Sequence, residues 1–131
     1  MKVSKHAIAT PAAPQAIGPY AQAVQAGHWL FLSGQIGLDP ATGELVAGGV
    51  VAEAERVLHN LSAVLQAAGA SLDAVVRTTI YLVDLADFAP VNEIYGRVFS
   101  APFPARATVG VAALPRGARI EIDAIALLAE G

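Results

Sequence analysis

The chain contains no cysteine, which removes disulfides, thiol nucleophiles, iron–sulfur clusters and zinc–thiolate sites from consideration. Lysine is almost as scarce. Lys2 and Lys5, both near the N-terminus, are all there is, so a buried Schiff-base lysine for pyridoxal phosphate has no candidate. Eight basic against 11 acidic residues leave a net charge of -3, and no basic run exceeds the spaced pair Arg116 and Arg119. A phosphate-backbone binder needs a basic stripe, so nucleic acid is not an expected partner. No uninterrupted apolar stretch approaches the ~18 residues that cross a bilayer. Met1 to His6 lead into Pro11, Ala12, Ala13 and Pro14 without the apolar core of an export signal. No membrane partner is expected, and the expected location is cytoplasmic. His6, His28 and His59 share no ligand spacing, so no metal is expected. Gly34 and Gly37 do not extend into a phosphate-cradling fingerprint ahead of a helix.

What is present is apolar. Hydrophobic residues make up 55% of 131 and the mean hydropathy is +0.54, a length that suits a single domain over 1–131 with one core. The surplus apolar surface is most simply hidden between subunits.

Period-two and period-3.6 segments alternate, the mark of a mixed α and β domain. Ala21 to Gln25 and Trp29 to Leu32 read as strands around a tight Gly27-His28 turn. Asp39 to Gly43 marks a loop, and Gly48-Gly49 a flexible lead-in. Ala54, Val57, Leu58, Leu61, Val64, Leu65 and Ala68 form a helical stripe ending at Gly69 as the C-terminal cap. Glu53, Arg56, Asn60 and Gln66 fall largely off it. Val75 to Val83 is β-branched and reads as a strand. A second helix is expected with Asp87 as N-cap and Phe88, Val91, Tyr95, Val98 and Phe99 buried. Two further runs, Ala105 to Ala113 and Arg119 to Leu128, read as a hairpin closed by Pro115 to Ala118. Counting one further strand in the N-terminal part that no run locates, the order is three strands, helix, strand, helix, two strands: an α+β fold with one mixed sheet and both helices on one face. The bare face calls for a cover, and another subunit is the simplest one.

Chemistry concentrates on Arg106, in the run Phe103-Pro104-Ala105-Arg106-Ala107-Thr108. A guanidinium at a strand end among apolar side chains suits paired hydrogen bonding to a small carboxylate. Spacing alone favours a structural ion pair over a binding role.

The run Pro104-Ala105-Arg106-Ala107-Thr108-Val109-Gly110-Val111-Ala112-Ala113-Leu114, followed after five residues by Ile120-Glu121-Ile122, resembles the signature of the RidA family, the YjgF/YER057c/UK114 group. The likeness extends through Ala16 to Tyr20, Ser33 to Ile36, Asn60-Leu61, Ala68-Gly69, Asp84 to Phe88 and Val91-Asn92. It implies a chorismate-mutase-like homotrimer with clefts between subunits. It also implies hydrolysis of 2-aminoacrylate and related 2-imino acids to 2-keto acids and ammonia, without a cofactor. By position, Arg106 matches the residue holding the substrate carboxylate and Glu121 the one orienting the attacking water. Tyr20, Ser33, Gly34 and Asn92 match the cleft lining. Backbone groups near Gly34 or Ala107 are expected to hold the substrate nitrogen, with Thr108 adding a hydroxyl. Thr108 stands where many members carry cysteine, so thiol-dependent behaviour is not expected, and the loop before Phe103 is shorter than in many relatives.

In the expected hairpin Ala112 opposes Glu121, which places Arg106 on the same face as Glu121 but roughly 20 Å away along the strand. That is too far to grip one small imine. Either the sheet curls, or the arginine of one subunit faces the glutamate of its neighbour. Two other functions remain open at this stage: a regulatory protein that binds a small carboxylate without turnover, and a ribonuclease or translation inhibitor. Chorismate mutase activity is implied by the fold alone, which does not determine chemistry.

Overall fold

A computed structural model describes residues 4–129 of the chain; Lys2 and Met1 lie outside them. His6–Ile8 (β1), a strand no residue pattern located, pairs antiparallel with Ala23–Ala26 (β2). β2 turns back as expected into Trp29–Gln35 (β3), with Ala26 opposite Trp29. Gly27 has φ of 62°, the left-handed conformation that such a two-residue turn requires.

The first helix, Gly49–Ala67 (α1), buries Ala54, Val57, Leu58, Leu61, Val64 and Leu65, the stripe that the sequence predicts. It ends in a Schellman arrangement: the Gly69 amide donates to the Gln66 carbonyl and the Ala70 amide to that of Leu65, with Gly69 at φ 78°. Glu53 and Asn60 depart from expectation, since both are buried. Both have backbone hydrogen-bond partners. Glu53 accepts from the Arg119 amide at 2.8 Å, and the Asn60 amide donates to the carbonyls of Ile36 and Leu38 at 3.3 and 3.0 Å.

Val75–Leu82 (β4) leads through a short turn into Phe88–Val98 (α2). Asp87 makes no capping bond. Asp84 does the capping, accepting from the Ala86 amide at 2.9 Å at the head of that turn. Val91, Ile94, Tyr95 and Phe99 are buried, whereas Phe88 and Val98 are exposed. The Phe88 ring lies instead beside the Arg106 guanidinium.

The C-terminal strands, Ala105–Gly110 (β5) and Ile120–Leu127 (β6), correct the expected hairpin. The sheet order is β1-β2-β3-β6-β4-β5, so β4 lies between them, parallel to β5 and antiparallel to β6. The physical reason is the intervening helix. A strand–helix–strand segment is long enough for a parallel crossover, and β4-α2-β5 makes one. Pro115–Gly117 forms a 3-10 turn, with Arg116 and Gly117 both at positive φ, and it carries the chain past β4.

Both helices cover one face of the sheet, over Leu30, Leu32, Thr78, Ile80, Leu82, Ile120, Ile122 and Ala124. Among the described residues no helix covers the other, bare face. Trp29, Phe31, Val109 and Leu127 stand exposed on it. No helix among the described residues is long and apolar enough to cross a membrane.

Candidate functional site

Register decides where each chemical group points. Thr78 pairs with Arg106 and Ile80 with Thr108; Thr78 and Ile80 are core residues, so Arg106 and Thr108 point to the helix face. Tyr81 pairs with both Glu121 and Val109, one residue out of phase with the core, so Glu121 points to the bare face. Arg106 and Glu121 therefore lie on opposite faces, not the same one. They are two strands and three residue rows apart, roughly 14 Å between their Cα atoms.

On the helix face, at the edge strand β5, Arg106 projects toward α2. Its guanidinium carbon lies 4.8 Å from the Tyr95 ring centroid and 5.6 Å from that of Phe88. Asn92, Tyr95, Gly96, Phe103, Pro104 and Arg106 line an open cleft of about 440 Å³. The ion pair of Arg97 with Glu93 is the one found within 4.0 Å among the described residues, so Arg106 has no carboxylate partner there. A guanidinium against aromatic rings and without an acid keeps its forked donors available for an incoming carboxylate.

On the bare face, β3 bulges. Leu32 pairs with Ala124 and Gln35 with Ile122, so Ser33 and Gly34 together span the width of Asp123 alone. The bulge turns Gly34 toward Glu121, whose carboxylate occupies the space a Cβ on Gly34 would need. Ser33 donates to the Ala21 carbonyl and so ties β3 to the segment carrying Tyr20. Ile17, Tyr20, Gly34, Ile36, Pro115, Arg116 and Glu121 line a second cleft, of about 500 Å³. Burial first, then the neighbouring Asp123 charge, hold the Glu121 pKa above the usual carboxylate range. A carboxylate shifted in this direction is a stronger base than an ordinary glutamate. Asp123 itself accepts from the Tyr81 hydroxyl at 2.8 Å.

The expected site residues thus divide in two. Arg106 and Asn92 share one cleft; Tyr20, Gly34 and Glu121 share the other, with Ser33 behind them. Ala107, level with Thr79, faces the bare side. Thr108 lines neither cleft, and its hydroxyl oxygen is buried and has no hydrogen-bond partner among the described residues. His6, His28 and His59 are all exposed.

Sequence reasoning missed Tyr95 and Phe88 as neighbours of Arg106, having assigned both to a buried stripe. It also missed Asp123, although the alternation Ile120-Glu121-Ile122-Asp123 places both carboxylates on one face.

The model of the family described as Endoribonuclease L-PSP matches residues 10–128. Protein DfrA of Myxococcus xanthus is 62% identical over 96% of this chain and 98% of its own. The 2-iminobutanoate/2-iminopropanoate deaminase of Mus musculus is 54% identical over 95% of this chain and 93% of its own. Among solved structures, RidA from an Antarctic Psychrobacter superposes with a TM-score of 0.91 at 47% identity, covering 94% of this chain and 99% of that one.

Proposed function

Because the chain belongs to the Endoribonuclease L-PSP family, the YjgF/RidA group, we propose that it hydrolyses 2-imino acids to 2-keto acids and ammonia, as its relatives named 2-iminobutanoate/2-iminopropanoate deaminase do. The observation that carries this reading is the arginine on aromatic rings, facing an open cleft, with no carboxylate among the described residues within 4.0 Å of it.

Arg106 takes the substrate carboxylate through paired charge-assisted hydrogen bonds. Glu121, ionised, orients a water and accepts its proton as the oxygen bonds to the imine carbon. The proton passes to nitrogen to complete the carbinolamine; Glu121 then takes the hydroxyl proton and passes it to the amino nitrogen, the carbon–oxygen double bond forms as the carbon–nitrogen bond breaks, and ammonia leaves with that electron pair. 2-Aminoacrylate enters the same path once its methylene carbon is protonated to give 2-iminopropanoate. Imines hydrolyse readily, so positioning and proton transfer suffice, and the reading invokes no cofactor or metal.

Two half-sites on opposite faces support a site shared between subunits, with Arg106 of one copy meeting Glu121 of the next. The bare apolar face supports self-association, and the homotrimer is the assembly that the RidA likeness implies. The test is ammonia release from freshly generated 2-aminoacrylate. Arg106→Ala is expected to lose about 2–4 kcal/mol of transition-state binding, roughly 30- to 1000-fold in kcat/KM. Mixing unfolded Arg106→Ala and Glu121→Gln chains and refolding them together is expected to restore about a quarter of wild-type activity, from those interfaces that receive both intact residues. No restoration defeats the shared site. Binding of 2-ketobutanoate without any acceleration of hydrolysis defeats the enzyme reading and leaves a carboxylate-binding regulator.

The family's description favours a second reading, ribonuclease. A chain of net charge -3 without a basic stripe argues against it. Arg106-dependent cleavage of RNA by highly purified protein, insensitive to salt, would establish it.

A further inference from the structure

Arg106 stands on a platform whose parts are fixed by one another. Tyr95 is 3% exposed and its ring packs against Phe99, with centroids 4.5 Å apart. Its hydroxyl is paired with Thr78 Oγ1 at 2.7 Å. Thr78 is the register partner of Arg106 on the adjacent strand. The strand pair that places the Arg106 backbone therefore also fixes the far end of the ring beneath its guanidinium. Phe88, the second ring, is 5.6 Å from the guanidinium carbon and 41% exposed, so it lacks that anchoring.

A buried ring and a carboxylate would both hold a guanidinium, with different consequences. A carboxylate neutralises the charge and occupies the forked donors; a ring face holds the cation by its quadrupole and leaves both charge and donors directed at the cleft. Desolvation of the ring strengthens the hold.

On the reading of Arg106 as the carboxylate anchor, we propose that Tyr95 is a positioning residue for the reaction: its ring face, locked by Thr78, orients the Arg106 guanidinium for the substrate carboxylate. The ring carries the role and the hydroxyl serves only as its lock. Substrate and transition state share the carboxylate contact, so loss of the ring weakens both alike, raising KM with little change in kcat.

The test compares Thr78→Val/Tyr95→Phe, which keeps the ring and leaves no orphaned hydroxyl, with Thr78→Val/Tyr95→Leu, which removes the ring. KM for 2-iminopropanoate and Kd for 2-ketobutanoate are expected near wild type in the first. Both are expected to rise roughly tenfold in the second. In an Arg106→Ala background the two double variants are expected to be equal, because a residue acting through Arg106 has nothing left to act on. Where the leucine variant fails to fold, Thr78→Val chains carrying mono- to pentafluorinated phenylalanine at position 95 replace it. Fluorination weakens the ring's negative face at nearly constant shape, and KM is expected to climb stepwise. A flat series, or a leucine effect that persists without Arg106, overturns the proposal while Arg106→Ala alone still raises KM. If Arg106→Ala leaves both KM and Kd unchanged, the anchor reading itself has failed and the role of Tyr95 falls with it.

Discussion

Burial and the Asp123 charge both favour the neutral form of Glu121, and that has opposite consequences for stability and for turnover. A carboxyl whose pKa rises on folding binds its proton more tightly in the folded state. Its favourable contribution is complete below the unfolded pKa of ~4.3 and is lost as pH climbs through the raised folded value. At neutral pH the ionised group is thus a cost to the fold. Glu121→Gln is expected to raise Tm at pH 7, with the gain vanishing as the melt is repeated down to about pH 4. Turnover needs the ionised form, so the acid limb of the wild-type kcat/KM profile is expected above the position an unshifted glutamate would give, and Glu121→Gln is expected to lack activity across the range. Thr108 makes a separate case at the same scale. Thr108 is half-buried on the edge strand, but its hydroxyl oxygen is buried and has no partner among the described residues, and an unmet buried polar group costs on the order of 1 kcal/mol or more. Thr108→Val is expected to stabilise the protein in urea titration by about that amount with KM unchanged. A raised KM instead would return the hydroxyl to the substrate.

Helix α1 acts on the Glu121 cleft although none of its side chains was expected there. Asn60 holds the carbonyls of Ile36 and Leu38 and accepts from Arg56 Nε at 2.9 Å, while Glu53 holds the Arg119 amide two residues before Glu121. Ile36 and Leu38 form one wall of the cleft and the Pro115–Arg119 segment leads into the other. Asn60→Ala leaves two carbonyls without their donor and is expected to cost about 2–4 kcal/mol in chemical denaturation. These buried polar residues were not legible because asparagine and glutamate on a helix read as its wet side, and nothing local announces a backbone partner 22 or more residues away. The apolar stripe of the same helix was legible because its 3.6 period is local, as was the β2–β3 hairpin around Gly27. The mispairing of β5 with β6 has the opposite origin. Neighbouring strands joined by a short turn usually pair, and that local prior outweighed the crossover signal of the β4-α2-β5 segment. The error then propagated to the site, since the face of Arg106 was inferred from a partner it does not have.

For the molecule as a whole, the corrected topology sharpens the case for assembly. Had Arg106 and Glu121 shared a face, a single chain with a curled sheet could have closed one site around a small imine. With the two on opposite faces of the sheet, no bending of one protomer brings them together, and a reaction that uses both needs a second copy. The bare face offers the means. Trp29 pairs with Leu127, and Phe31 with both Val24 and Ile125, an apolar band across three strands whose large side chains are nearly half exposed, Phe31 at 46%. A band of this kind on a water-facing sheet marks a contact surface. Phe31→Asp places a charge in the middle of it without touching the helix-side core, so the protomer is expected to keep its circular dichroism while sedimenting as a monomer. If the site is shared, that monomer loses imine hydrolysis completely although Arg106 and Glu121 are intact. Wild-type activity per protomer should likewise fall on dilution, in step with dissociation. A monomeric Phe31→Asp protein that still hydrolysed 2-iminopropanoate at the wild-type rate would show that one face alone carries the chemistry.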